Sequence, residues 1–178
     1  MQVKATKIAG AFEVELPFSE DDRGDFVKIL HADNFVEHGL EANFKESYYS
    51  TSRIGTIRGM HFQMPPHAHE KLVYCVDGSV LDIILDLRTE SDTFKEFCTI
   101  KLAKSARNAI YIPRGVAHGF CVDEGDATLV YMTTTVYNQA SDSGILWNSF
   151  GLDWPVDNPF LSERDKGFVE LSEFDSPF

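Results

Sequence analysis

The chain has 178 residues, a length that predicts one domain (1–178) able to bury a sizeable core. Hydrophobic residues make up 43%, which excludes a disordered chain. A formal net charge of −12 argues against a general binder of nucleic acid or of an anionic membrane, although a few local arginines and lysines can still hold a small phosphate-bearing ligand.

The first eighteen residues, MQVKATKIAGAFEVELPF, contain no continuous apolar run, so no secretory signal is expected. No later run approaches the roughly 20 apolar residues needed to span a bilayer. Cys75, Cys98 and Cys121 are odd in number and show no CxxC spacing, which reads as reduced thiols in a cytoplasmic protein. In chain order, strands are expected at FEVELPF (12–18) and FVKILHA (26–32). A short helix follows at DNFVEHGL (33–40), with Asp33 as N-cap and Gly39 as its stop. Further strands are expected at NFKESYYS (43–50), TIRGMHF (56–62), KLVYCV (71–76), SVLDIILDL (79–87), EFCTIKL (96–102), AIYIP (109–113) and LVYMTTTVY (129–137). The turn signals DDRGD, SRIG, VDG, RTESD, DEGD and NQASDSG separate them, and the C-terminal stretch reads as loop with a turn or two of helix. Many short strands at this spacing predict an all-β antiparallel jelly-roll barrel with short flanking helices.

The last long strand puts Tyr131, Thr133, Thr135 and Tyr137 on one face by the period-2 rule. A row this polar is either a ligand-facing inner wall or a solvent-facing one, and periodicity alone does not choose.

RGMHFQMPPHAHEKLVYC (58–75) concentrates three histidines, an arginine and a lysine, and it admits three readings. One is a metal site. Pro113, Gly115 and His118 carry the P-x-G-x-x-H spacing of the second cupin motif, and His67 and His69 form an HxH as in the first. Against it, the acid Glu70 follows at once on the opposite face, and the pair sits directly after Pro65-Pro66. The second reading is proton transfer by His61, an imidazole that titrates near neutral pH. A bulge at Gly59 would let Arg58 and His61 face one cavity despite their opposite parity. In the third, these are polar positions on a strand pair that binds nothing, and His67 and His69 fit this or a place at the rim of a site.

The longer text RGMHFQMPPHAHEKLVYCVDGSVLDIILDLRTESDTF resembles the signature of dTDP-4-dehydrorhamnose 3,5-epimerases. The resemblance takes in DDRGDF, IPRGVAHGF, VYMTTTVYN, SGILWN, LDWP and LSERD, colinear over nearly the whole chain. It implies a cupin-like jelly roll, a homodimer whose N-terminal strands cross to the other copy, a nucleotide-diphosphate sugar as substrate, and no metal or organic cofactor. It also implies roles. His61 matches the catalytic base, Asp165 its carboxylate partner, Tyr131 the proton donor, and Lys71 the lysine near the C4 oxygen. Arg58, His118 and Tyr137 match other substrate-binding positions, Asp82 an inner supporting acid, and Arg23 and Phe26 residues that reach the nucleotide from the other copy. A non-catalytic sugar-binding cupin and a metal-dependent cupin are the competing classes.

Three positions depart from the family's pattern. Lys28 stands where a carboxylate is usual, and Glu46 and Tyr48 where Gln and Asn are usual. All three belong to the nucleotide end of the site. A lysine donor suits the acceptor N3 of cytosine, or N7 and O6 of guanine, better than the N3–H of thymine. The base is therefore open among dTDP, CDP and GDP, with dTDP favoured. Inversion at C3, at C5 or at both is equally compatible with these residues.

Overall fold

The computed structural model describes residues 1–178. Two antiparallel sheets face each other. One has six strands: β1 (Gln2–Ala5), β2 (Phe12–Glu15), β10 (Asn108–Ile112), β7 (Lys71–Asp77), β12 (Ala127–Thr133) and β5 (Glu46–Ser52), in that spatial order. The other has five: β13 (Asp142–Gly144), β6 (Ile57–Gln63), β11 (Val116–Cys121), β8 (Ser79–Asp86) and β9 (Phe97–Ala103). Val73, Ile110 and Leu129 from the first sheet meet Ile84 and Phe120 from the second in one core cluster. Their burial is the main force closing the sandwich, at roughly 25 cal/mol per Å² of apolar surface removed from water. No helix is long and apolar enough to cross a membrane.

The all-β expectation holds, with local corrections. The short helix is α1 (Ala32–Glu37), but His31 is its N-cap and makes no side-chain cap bond. Asp33 lies inside the first turn, where its charge favours the helix N-terminus instead. Gly39 follows the helix with φ +72, a backbone conformation that suits glycine. Of FVKILHA, only Phe26 and Val27 are strand, in β4 (Gly24–Val27), because its partner β3 (Phe18–Asp21) offers no further length. Ile29 and Leu30 instead pack against a core cluster around Phe35. β12 ends at Thr133, four residues short of the expected end, because the next N–H, that of Thr134, turns to Glu70 O. β1, β11 and β13 were not expected as strands; β11 is wholly buried, so it lacks the alternation that marks a half-buried strand.

The β3–β4 hairpin stands apart from both sheets as a two-stranded arm. Arg107 holds one of its faces, with Nη2 3.2 Å from Glu20 Oε2, Nε 3.2 Å from Asp25 Oδ2, and the guanidinium 4.0 Å from the centroid of the Phe18 ring.

β6 carries the expected irregularity. Its pairing with β11 runs His61 to His118 and Arg58 to Phe120, so that Gly59 and Met60 stand opposite Gly119 alone. This is a bulge of one residue, and it turns Arg58 and His61 to the same face. Glycine is required on both sides of it. A Cβ on Gly59, whose φ is +147, would lie 2.6 Å from Gly119 Cα; a Cβ on Gly119 would lie 2.8 Å from Arg58 O. Gly59→Ala is therefore expected to lower the unfolding free energy by about 2–4 kcal/mol, combining φ strain with backbone overlap. Gly125→Ala, where φ is +63 and nothing lies within 4 Å, should cost only about 1–2 kcal/mol. Urea unfolding of the two variants checks the difference.

Candidate active site

A cavity of about 360 Å³ opens between the sheets, lined from β5, β6, β7, β11, β12, β13 and α2 (Glu163–Lys166). Its centre is His61. The ring Nε2 lies 2.9 Å from Asp165 Oδ1, and the Gly59 N–H donates to Asp165 Oδ2 at 3.2 Å. Asp165 sits in the first turn of α2, where Ser162 Oγ caps the helix by accepting the Asp165 N–H at 3.1 Å. Burial opposes ionisation of Asp165, but the bonds from His61 and Gly59 outweigh it and hold the carboxyl below its ordinary value. The ionised carboxylate fixes the proton on His61 Nε2 and leaves Nδ1 as a free acceptor. Burial lowers the His61 pKa, partly offset by Asp165, so the imidazole is neutral and ready to take a proton.

The facing sheet supplies the other groups. Lys71, 5% exposed on β7, donates from Nζ to His61 O at 3.1 Å. Burial brings its pKa down to about 8, against the pull of Asp142 and Asp82. Tyr131 on β12 is buried, and its hydroxyl lies 3.0 Å from Ser50 Oγ. Burial raises its pKa, so the phenol stays protonated. The polar row thus faces inward for Tyr131 and Thr133. Beyond the strand end, the loop still brings Tyr137 to the cavity mouth, where its N–H donates to Glu46 Oε2 at 2.6 Å.

A second histidine–acid pair lies behind the first. His118 Nε2 is 2.7 Å from Asp82 Oδ2, and Asp82 is fully buried. Burial pushes the Asp82 carboxyl up, opposed by His118. Arg58 lies at the edge of the cavity, its Nε donating to Ser52 Oγ at 2.9 Å.

The structure therefore brings together His61, Asp165, Lys71, Tyr131, Arg58, His118, Tyr137, Glu46 and Tyr48. It does not bring Arg23, Phe26 and Lys28 to the same cavity. Phe26 is 65% exposed on the hairpin, and Arg23 is paired with Asp21. Among the lining residues that sequence reasoning missed, two charged ones stand out. Arg164 Nη2 donates to Asp142 Oδ1 at 2.8 Å, closing one wall. Arg164 adjoins Asp165 in LSERD, a signal that could have been used; Asp142 lies in a turn cluster with none.

The histidines of HAH separate. His67 contributes its carbonyl to Gln63 Nε2 at 2.9 Å and to Thr135 Oγ1 at 3.0 Å. His69 lines the cavity, with Nδ1 near Gln63 Nε2 and Thr135 Oγ1 at 3.2 and 3.3 Å. Burial, then Lys71 and Arg114, bring its pKa down to about 3. No three His, Cys, Asp or Glu side chains are grouped so as to hold a metal ion. His69 and His118, one from each cupin-like motif, both line the cavity, but His118 Nε2 is taken by Asp82.

His69 stays neutral in the fold while an unfolded imidazole gains a proton below about pH 6.5. The unfolded chain then binds more protons, so stability falls as pH drops from 6.5 towards 3, by up to about 1.4 kcal/mol per pH unit from this group. His69→Gln should flatten that acid limb in urea unfolding measured from pH 7 to 4.

A family model described as dTDP-4-dehydrorhamnose 3,5-epimerase matches residues 5–173. The chain is 38% identical over 180 residues to the dTDP-4-dehydrorhamnose 3,5-epimerase of Shigella flexneri, covering 98% of this chain and 99% of that protein. It is 34% identical over 176 residues to the dTDP-4-dehydrorhamnose 3-epimerase of Streptomyces niveus, covering 97% of this chain and 85% of that one. Among solved structures, dTDP-6-deoxy-D-glucose-3,5-epimerase of Legionella pneumophila in complex with dTDP-4-keto-L-rhamnose matches with a TM-score of 0.93 at 29% identity, over 98% of this chain and 94% of that one.

Proposed function

The chain belongs to the dTDP-4-dehydrorhamnose 3,5-epimerase family, and from that premise we propose how its cavity epimerises a dTDP-linked 4-keto-6-deoxyhexose in deoxysugar biosynthesis. The observation that carries the proposal is the division of groups between sheets. The neutral imidazole of His61, bonded to the Asp165 carboxylate, hangs from one sheet, and the protonated Tyr131 from the sheet opposite. A sugar ring between them has a base on one face and an acid on the other.

C3 and C5 are both α to the C4 carbonyl, so their protons are weakly acidic. His61 Nδ1 takes one of them, and the electron pair moves to the C4 oxygen as an enolate. Asp165 keeps the imidazole in the right tautomer and stabilises the imidazolium that forms. The Lys71 ammonium stabilises the enolate charge in a site with little water. Tyr131 returns a proton to the opposite face, and the carbon is inverted. Arg58 offers its guanidinium to the diphosphate.

The dTDP site is completed by a second copy of the chain. The hairpin exposes Phe26 on the face opposite the one that Arg107 covers, and none of its residues lines its own cavity, which leaves Phe26 free for a neighbour's site. In such a homodimer, Arg23, Phe26 and Lys28 of each copy serve the other's nucleotide. Lys28, a donor where a carboxylate is usual, favours a second reading, in which the base is cytosine or guanine. Epimerisation at a single carbon uses the same base and acid.

The test is incubation in D₂O with dTDP-, CDP- and GDP-linked 4-keto-6-deoxyhexoses in the presence of EDTA. Deuterium is expected at C3, C5 or both, as read by NMR, and the preferred nucleotide identifies the base. His61→Ala should lower the exchange rate by about 10²–10⁴-fold. Absence of exchange on every sugar would support a binding protein, and abolition by EDTA a metal enzyme. Turnover should also fall as pH rises through about 8, where Lys71 loses the charge that steadies the enolate. Lys71→Arg, which stays charged, should lose that alkaline limb in a kcat–pH profile.

A further inference from the structure

β5 is an edge strand of the six-stranded sheet, and one of its faces is turned inward in an unusual way. Glu46, Tyr48, Ser50 and Ser52 share that face. All four engage residues of the site, two of them Tyr131. Glu46 accepts the Tyr137 N–H, Ser50 meets the Tyr131 hydroxyl, and Ser52 accepts from Arg58 Nε. Tyr48 lies directly across the ladder from Tyr131, and the two rings stack with centroids 4.8 Å apart and planes 15° from parallel. His118 approaches the Tyr131 ring at 6.0 Å with its plane at 70°. Tyr48 is thus the broad flat contact of the proton donor, and Ser50 the partner of its hydroxyl.

We infer that Tyr48 is a positioning residue for Tyr131: its stacked ring, with Ser50, holds the phenol where it delivers a proton to the side of the sugar remote from His61. The inference rests on Tyr131 being the acid. Proton transfer to carbon is sensitive to alignment, and a phenol free to swing about its side-chain torsions loses that alignment. The consequence is a change in partition. His61 abstracts the α-proton and becomes the imidazolium, and the electron pair rests on the C4 oxygen. The enolate then has two fates. It takes a proton back from His61, restoring the starting configuration, or it takes one from Tyr131, leaving a phenolate and an inverted carbon. In D₂O the first fate gives deuterated substrate of unchanged configuration and the second gives deuterated epimer. Tyr48 acts only on the second.

The experiment measures the ratio of deuterated epimer to deuterated unchanged sugar at early times, together with KM, using the dTDP-linked 4-keto-6-deoxyhexose. Tyr48→Ala is expected to lower the ratio roughly three- to tenfold, the size expected for losing one aromatic pair. KM should change little, and Tyr48→Phe, which keeps the stack, should restore the ratio. If Tyr48→Ala does not fold, Tyr48→Leu fills the volume without the aromatic face and carries the same expectation. A ratio equal to wild type with a raised KM would overturn the inference and make Tyr48 a ligand contact only. A Tyr48→Phe ratio as low as that of Tyr48→Ala would also overturn it, by assigning the effect to the hydroxyl. Tyr131→Phe is the separate control. An unchanged ratio there would remove Tyr131 as the acid, and this inference with it, whereas a collapsed ratio leaves the stacking test standing alone.

Discussion

One buried carboxylate ties the chemistry of the site to the shape of the strand that carries it. Asp165 receives both the imidazole N–H of His61 and the backbone N–H of Gly59, two donors from β6, one within its bulge and one just beyond it. The bulge would otherwise leave a buried amide without a partner, a cost of about 1–3 kcal/mol. The same anion sets the tautomer of His61. Local backbone geometry and proton affinity are thus set together, by a residue more than a hundred positions further along the chain. Gly59 and Gly119 permit this by letting β6 and β11 approach where side chains would collide.

The sandwich supplies the second requirement, which is opposition. His61 and His118 come from adjacent strands of one sheet, Lys71 and Tyr131 from adjacent strands of the other. Side chains from two facing sheets meet across a gap of fixed width. A flat ring in that gap is met from both sides without any part of the chain having to move. The buried positions of these side chains also tune their protonation. They keep the imidazole neutral and the phenol protonated, and they bring the ammonium closer to losing its proton.

Much of this was legible from residues alone. Alternating apolar segments announced most of the strands, and Gly59 inside a strand pattern announced the bulge that the register displays. The grouping proposed to be catalytic was not legible that way. His61 and Asp165 are joined by a fold, not by a spacing, and only their place in a colinear family pattern linked them. β11 escaped notice because a strand buried on both faces shows no period of two. The end of β12 escaped because its residues remain good strand formers after the hydrogen-bonding partner has turned away. Asp142 could not be foreseen, since nothing in a turn-rich segment distinguishes an acid that faces a cavity from one that faces water.

The clamp of Arg107 on the hairpin has a consequence for assembly. A projecting two-stranded ribbon is ordinarily marginal in water and would lose conformational entropy on docking. Here two carboxylates and an aromatic ring are fastened to a single guanidinium, itself rooted in the main sheet. One face of the arm is therefore fastened while it is still alone, and Phe26 is presented on the other. A surface that receives Phe26 meets a ribbon already held, so less of the free energy of contact is spent on ordering.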